Sequence, residues 1–451
     1  MFQKIFFVFF FFLTTVVAGC KAKQTELADG KQLYNIHCSG CHGVKGDGNG
    51  PMAKYLFPKP RDLTSGILKY RTTQGPVPAD ADILQTMKVG VPGTSMPGWD
   101  VLKQKDWKNL LAYVKMLSPR LARGSSGKTI DVPEEPKNKT TSAAAGKALY
   151  GNAGCVACHG VEGQGDGPAA TALKDVWGNP VIPRDLTHGP LKWGNSGRDI
   201  YRSLWNGVPG TPMPAYGATF TGTQLWSLVH YIQSVQQKLP EGYDPSNPKR
   251  NLIKINSVAG ELPDDCSAPA WQNIKSAPVF LKPLWSEKGE VEWVEVKALH
   301  NKKEAAFCLS WEDDQVNIGL TMSDAVALQF PVKPITNPVQ LPYLGLGNPG
   351  NPVDVWLWKP QGAVQLSAVG VGTQRGGRAD EQAVTGNGVY QDGRWTVVIK
   401  GPLEQRNPKA TRFAPVGYLS FALWDADIPK QLGLHSFSEW MIYEMEGTPA
   451  K

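Results

Sequence analysis

An internal repeat constrains this chain more than any other feature. Gly30-Lys31-Gln32-Leu33-Tyr34 is followed by Cys38-Ser39-Gly40-Cys41-His42-Gly43. Gly146-Lys147-Ala148-Leu149-Tyr150 is followed by Cys155-Val156-Ala157-Cys158-His159-Gly160. Each copy continues through a Gly-rich stretch and an Arg-Asp-Leu-Thr tetrad (61–64 and 184–187). Each then reaches Gly-Val-Pro-Gly-Thr and a Met-Pro pair at Met96 or Met213. Met96 lies 54 positions after His42, and Met213 lies 54 positions after His159. A loop insertion and a compensating deletion fall between, yet the spacing is kept. Both copies close with a helical pattern, Lys105–Leu117 and Thr223–Gln236. Leu110, Val114 and Leu117 mark one apolar face, and Leu225, Leu228 and Ile232 the other. Two similar domains in tandem are therefore expected.

Cys-x-x-Cys-His is the attachment signature of a c-type haem. Two thiols on one helical turn reach the same face of a macrocycle, and the next residue, His, reaches its iron. Cys38, Cys41, Cys155 and Cys158 are thus the expected covalent sites for two haems c, with His42 and His159 as proximal ligands. Met96 and Met213 are the expected distal ligands, because a soft thioether suits an electron-transfer iron. Pro after each Met keeps that residue extended and out of a helix. The competing readings are a redox dithiol or half a zinc site for the cysteines, and core packing for the methionines. Duplication with an adjacent His and a matched Met disfavours them. The Gly runs 46–50 and 163–167 lack the Gly-Lys-Ser/Thr of a phosphate loop and read as loops at the cofactor edge. His37 reads as an exposed neighbour of the first motif.

The N-terminus reads as an export signal: a positive start through Lys4, an apolar run Ile5–Val17, then Val17-Ala18-Gly19-Cys20. Those last residues look like a bacterial lipobox, with residues 1–19 removed and Cys20 lipidated. The expected location is the cell envelope, facing the periplasm, with a lipid anchor to a membrane. Lys21 after the cysteine leans the sorting toward the outer membrane. Of seven cysteines, only Cys266 and Cys308 then lack a role, and an oxidising compartment permits their disulfide. The net charge of +7 is spread along the chain without a basic run, so nucleic acid is not an expected partner.

Residues 27–118 and 143–238 resemble class I cytochrome c domains. That family implies a small α-helical fold whose first and last helices cross near the haem. Tyr34 and Tyr150 fall in the first helix of each copy, Tyr113 and Tyr231 in the last. Residues 119–142, rich in Pro, Lys, Ser and Gly, read as a linker, and 239–264 as a second.

From about Val291, short apolar runs alternate with turn residues: Ala305–Leu309, Val316–Leu320, Ala325–Phe330, Val353–Trp358, Trp395–Ile399, Tyr418–Trp424 and Trp440–Tyr443. The pattern predicts an antiparallel β-sandwich or barrel over 265–448. Asp324–Pro331, Pro342-Tyr343, Pro352–Lys359, Asp392–Val398, Phe421–Asp425 and Ser436–Trp440 resemble the haem-binding domain of the ethylbenzene dehydrogenase γ subunit. That family implies a β-sandwich holding a b haem between Met and Lys, and electron exchange with a molybdenum enzyme through iron–sulfur clusters. The chain departs from the pattern at both ligands. Leu344-Gly345-Leu346-Gly347 stands where the family has Met, and His435 stands where it has Lys. His435 is the candidate b-haem ligand, with Lys430, Lys400 and Met322 behind it. Either a b haem binds here, or the domain is a docking module.

The combined expectation is an electron-transfer subunit or partner of an exported molybdopterin oxidoreductase. It would serve catalytic and iron–sulfur subunits on one side and a soluble cytochrome or terminal oxidase on the other. The alternative is a stand-alone anchored carrier whose third domain is haem-free. A dihaem peroxidase would need an open iron position, which a Met in both copies argues against.

Overall fold

The computed structural model describes residues 24–99, 102–125, 127–241, 243, 252–283, 291–319, 323–336, 340–344, 346–348, 350–370, 372–377, 382–405, 407–425 and 436–447. The leader with Cys20, and Met322, Lys430 and His435, lie outside the described residues.

The N-terminal half is helical in two copies. The first contains α1 (24–37), α2 (Ser39–His42), α3 (Asp80–Val89) and α4 (Gln104–Met116), followed by α5 (Pro119–Arg123). The second contains α6 (Lys139–Asn152), α7 (Val156–His159), α8 (Gly197–Asn206) and α9 (Gly222–Val235). Both closing helices coincide with the apolar periodicity. Helix α9 starts at a capping box in which Thr221 and Gln224 exchange side-chain bonds to each other's N–H. The first helix of each copy crosses the last at a glycine. A Cβ on Gly30 would collide with the carbonyl oxygen of Asn109, and one on Gly146 with that of Ser227. One turn on, Tyr34 packs on Tyr113 with ring centroids 5.2 Å apart, and Tyr150 on Tyr231 at 5.0 Å.

The expected linker 119–142 is packed against both domains. Thr129 bridges to Thr73, and Ile130 N–H donates to Thr72 O at 2.8 Å. Ile130 and Val132 are buried in the second domain's core, and Trp226 Nε1 donates to Pro133 O at 3.1 Å. With Leu121 in the first domain's core, three scattered apolar residues in a polar stretch are too few to register as a periodic run.

The C-terminal half is a sandwich. Its strands are β1 (Leu252–Ser257), β2 (Ala277–Phe280), β3 (Lys282–Pro283), β4 (Trp293–His300), β5 (Glu304–Glu312), β6 (Ala325–Pro331) and β7 (Val353–Lys359). They continue as β8 (Gly362–Ala368), β9 (Arg375–Gly376), β10 (Thr385–Gln391), β11 (Arg394–Pro402), β12 (Val416–Trp424), β13 (Ser436–Phe437) and β14 (Met441–Met445). The order is β10-β11-β5-β4-β1-β14-β12-β6-β7-β8-β9. Strand β12 joins the two layers, pairing with β14 through its first half and β6 through its second. Between them lies an aromatic core that includes Phe307, Trp311, Phe330, Trp356, Trp358 and Trp395.

The sheet departs from the antiparallel expectation at β1. This strand runs parallel to both β14 and β4, and lies inside the segment expected to be the second linker. Ile253 and Ile255 alternate into the core with polar residues between, a signal only two residues strong. Val316–Leu320 forms no strand over its described residues; Ile318 makes one isolated bridge, to Ser323, and is exposed.

Both outer faces of the sandwich are covered. Leu262 and Trp271 lie over β4, β5 and β11, and the Cys266–Cys308 disulfide staples that wrap in place. On the other side, β6 is buried along its whole length. The loop carrying Leu341, Leu344 and Leu346 covers it, together with Cys41, Met52 and Leu56 of the first helical domain. A strand covered on both faces reads as a nearly continuous apolar run, as Ala325–Phe330 does apart from Gln329, whose amide donates to Leu344 O and Ser420 Oγ.

Two predictions follow from this packing. Gly146→Val should push α6 off α9 and cost about 1–3 kcal/mol, read as a lowered denaturant midpoint. The second concerns Asp313, whose carboxyl is pushed up to about 7, first by burial and then by Asp324 and Asp425. The fold therefore keeps a proton that the unfolded chain releases near pH 4. Asp313 should stabilise the protein fully below about pH 4 and lose that contribution as pH rises through about 7. Melting temperatures measured from pH 5 to 8 should fall less for Asp313→Asn than for the unsubstituted chain.

Candidate cofactor cavities

Each helical domain holds a cavity in which the residues expected to act together meet. Cys38, Cys41, His42 and Met96 line the first, of about 1170 Å³ including its part open to solvent. Cys155, Cys158, His159 and Met213 line the second, of about 1700 Å³ on the same measure. Apolar side chains complete the walls, among them Leu63, Leu68, Ile83 and Met87 in the first, and Leu173, Leu186, Ile200 and Leu228 in the second.

The cysteine loops are held alike. His42 N–H donates to Cys38 O at 2.8 Å, and His159 N–H to Cys155 O at 2.9 Å, closing one helical turn. The hydroxyl of Tyr34 donates to Gly43 O at 2.7 Å, and that of Tyr150 to Gly160 O at 2.8 Å. Gly43 (φ 78°) and Gly160 (φ 79°) turn the chain in a backbone region that disfavours side chains.

Each imidazole is aimed by a peptide carbonyl. His42 Nδ1–H donates to Arg61 O at 2.9 Å, and His159 Nδ1–H to Arg184 O at 3.0 Å. Burial holds both rings below the usual histidine range, so they are neutral. With Nδ1 carrying the proton, the lone pair sits on Nε2. This explains the Arg-Asp-Leu-Thr tetrad, which the sequence offered only as a repeat marker. Asp62 Oδ1 accepts from Thr64 N–H and O–H at 2.8 and 2.6 Å, and Asp185 Oδ1 does the same with Thr187. The turn thus formed follows directly on the arginine whose carbonyl holds the ring.

The methionine loops also match. Val91 N–H donates to Met96 O at 3.0 Å, and Val208 N–H to Met213 O at 3.2 Å. The Thr94 hydroxyl donates to Val91 O at 2.8 Å and accepts from Met96 N–H at 3.2 Å. The Thr211 hydroxyl does the same with Val208 O at 2.7 Å and Met213 N–H at 3.3 Å. The recurring Gly-Val-Pro-Gly-Thr is therefore a clamp around each methionine.

The donor chemistry fits a haem better than a metal cage. Burial pushes the Cys38 thiol up to about 12 and Cys41 up to about 11, and raises Cys155. A zinc or redox site needs the opposite shift. Among the described residues no three His, Cys, Asp or Glu side chains converge as a metal site requires. Arg61 and Arg184 line the first and second cavity respectively, and each has a buried Nε without a hydrogen-bond partner among the described residues. Acidic side groups on a bound macrocycle would satisfy them.

Two readings are corrected. His37 is buried, not exposed. Its ring packs 4.5 Å from that of Trp99 on the wall of the first cavity, and burial pushes its pKa down to about 4. The last residue of α1 faces inward here, where the second copy has Gly154. Lys400 points to the outer face of the sandwich. Its Nζ lies 2.5 Å from Asp264 Oδ1 and donates to Leu262 O at 3.3 Å. The Cys266–Cys308 pairing that the sequence left open is made, with Cα atoms 5.6 Å apart.

The sandwich touches both loops of the first cavity. Tyr343 packs on Gly40 between the two cysteines, and its hydroxyl donates to Asn35 O at 3.3 Å. Glu439 Oε1 accepts from Gly98 N–H at 2.8 Å, two residues after Met96. The second domain meets the sandwich through Arg184 and Glu292, 3.5 Å apart.

Comparison with known proteins agrees with this division. Residues 27–118 and 143–236 match the cytochrome c family model, and 268–383 match that of ethylbenzene dehydrogenase. A candidate respiratory nitrate reductase haem subunit of Haloferax mediterranei is 29% identical over 42% of this chain and 71% of its own length. The chlorate reductase γ subunit of Ideonella dechloratans is 28% identical over 42% of this chain and 83% of its own. Among solved structures, the reducing HAO-like protein complex of Kuenenia stuttgartiensis aligns at 37% identity over 46% of this chain and 96% of its own, with a TM-score of 0.45. Of the cbb3-type oxidase subunit CcoP of Azospirillum sp., which also matches, the chain spans about half, 51%.

Thr211→Val deletes both hydroxyl bonds of the Met213 loop. It should cost about 1–2 kcal/mol, measured by denaturant unfolding.

Proposed function

We propose that this haem electron-transfer chain, two cytochrome c domains joined to an ethylbenzene dehydrogenase domain, holds two haems c and serves an exported molybdopterin oxidoreductase as subunit or partner. The duplicated cavity carries this reading: each brings a Cys-x-x-Cys-His turn and a clamped Met to one apolar space. A bound haem supplies one-electron oxidation and reduction at its iron. Cys38 and Cys41 would tether the first through thioethers, and Cys155 and Cys158 the second. His42 and His159, held by the carbonyls of Arg61 and Arg184, would offer Nε2 to the iron. Met96 and Met213 would offer sulfur. With both donors engaged, each site would supply electron transfer rather than substrate binding.

The matches to the nitrate and chlorate reductase subunits support a molybdopterin oxidoreductase with its iron–sulfur subunit as one partner. A soluble cytochrome or terminal oxidase is the other. The protein sits in the cell envelope facing the periplasm, with Cys20 as its lipid anchor. No helix among the described residues is long and apolar enough to cross a membrane.

The sandwich is read here as a docking module. Where the family places a methionine, Leu344 and Leu346 pack with Cys41, Met52 and Leu56 of the first cytochrome domain. Lys400 is engaged by Asp264. A b haem held through His435 is the competing reading.

A pyridine haemochrome assay before and after acid–acetone extraction tests both. Two covalent haems per chain with nothing extractable are expected. An extractable b haem, lost selectively in His435→Ala, would make the sandwich a third redox station. Fewer than two covalent haems would refute the paired-cavity reading. Isolation from native membranes with a molybdenum subunit is expected, and a chain that consistently purifies alone would be a stand-alone carrier.

A further inference from the structure

The two cavities have one wall in common. Pro58, Lys69 and Tyr70, all from the first domain, line both. The Tyr70 ring stacks on that of Trp193, with centroids 5.0 Å apart and planes at 19°. Trp193 belongs to the second domain and lines the second cavity. Tyr70 is 9% exposed, and Trp193 is half-buried. The surrounding contacts hold the two domains at a set distance. Asn206 Nδ2 donates to Arg71 O at 2.8 Å, and the Arg61 guanidinium lies 4.4 Å over the Trp177 ring.

We infer that the Tyr70–Trp193 stack is the electronic bridge between the two haem sites. The inference rests on the two-haem reading above. Electron tunnelling weakens exponentially with distance, and weakens faster across gaps or water than through packed atoms. A stacked pair of π systems, one ring lining both cavities and the other lining the second, is the best-coupled path through the shared wall. Pro58 offers only saturated atoms, and Lys69 ends in a localised charge. With a haem at each site, one electron would leave a ferrous centre and reach a ferric one. No bond or proton moves, and neither ring is left oxidised.

The experiment uses the full-length holoprotein poised half-reduced. Exchange between the haem-methyl NMR signals of the two sites gives the electron-exchange rate, and invariance on dilution shows it to be intramolecular. Tyr70→Leu and Trp193→Leu should slow exchange, while Tyr70→Phe, which keeps the ring, should retain it. Two covalent haems per chain should be retained, and both midpoint potentials are measured for each variant so that rates are compared at equal driving force. A loss of exchange larger than the shift in potentials explains is a readout that a merely structural role would not give. Trp193→Leu, at a half-buried position, carries the test if Tyr70→Leu loses a haem. Leucine variants that exchange as fast as the unsubstituted chain, with both haems in place, would overturn the bridge. An unsubstituted chain with fewer than two haems would instead overturn the reading beneath it.

Discussion

The helical half depends on two backbone contacts, α1 over α4 at Gly30 and α6 over α9 at Gly146. Only a residue without Cβ lets the crossing helices come so close. That closeness brings Tyr34 onto Tyr113 and Tyr150 onto Tyr231. Each first-helix tyrosine then reaches with its hydroxyl to the glycine that ends the Cys-x-x-Cys-His turn. Burial keeps these phenols protonated and therefore donors. The position of each cysteine pair thus descends, contact by contact, from a glycine several residues upstream.

One repeat has been placed in two different surroundings. The first cavity has His37 in its wall and Tyr343 and Glu439 of the sandwich against its loops. The second has Gly154 at the matching position and meets the sandwich through Arg184, which is buried, and the half-buried Glu292. Burial and hydrogen bonding around a haem are the protein's means of tuning it. Duplication followed by asymmetric docking therefore supplies two sites of one design in unlike environments.

The sandwich is stabilised by being covered as much as by its core. Its outer faces carry apolar residues that a free-standing sandwich would expose. The stapled wrap around Trp271 covers one face, and the Leu341–Leu346 loop with the first cytochrome domain covers the other. The three domains consequently meet through packed surfaces, and the interface at Cys41 is continuous with the sandwich's own packing.

Local features are written in short stretches of the chain. Two thiols and a His on one helical turn, a Met before Pro, and an apolar stripe at helical spacing are each specified within a few residues. Both cytochrome domains, their closing helices and six of the fourteen described strands, β5, β6, β7, β11, β12 and β14, were legible for that reason. The Arg-Asp-Leu-Thr and Gly-Val-Pro-Gly-Thr runs were visible as repeats, but not as the holders of imidazole and methionine. Their hydrogen bonds join residues that only the folded chain brings together. Long-range packing sets β1 parallel in the sheet, fits 119–142 between the domains as a strap and turns His37 inward. It also brings Tyr70 to Trp193 across the domain boundary. In each case the energy lies in burial against distant chain, and one or two apolar residues in a polar stretch carry no periodicity by which to announce it.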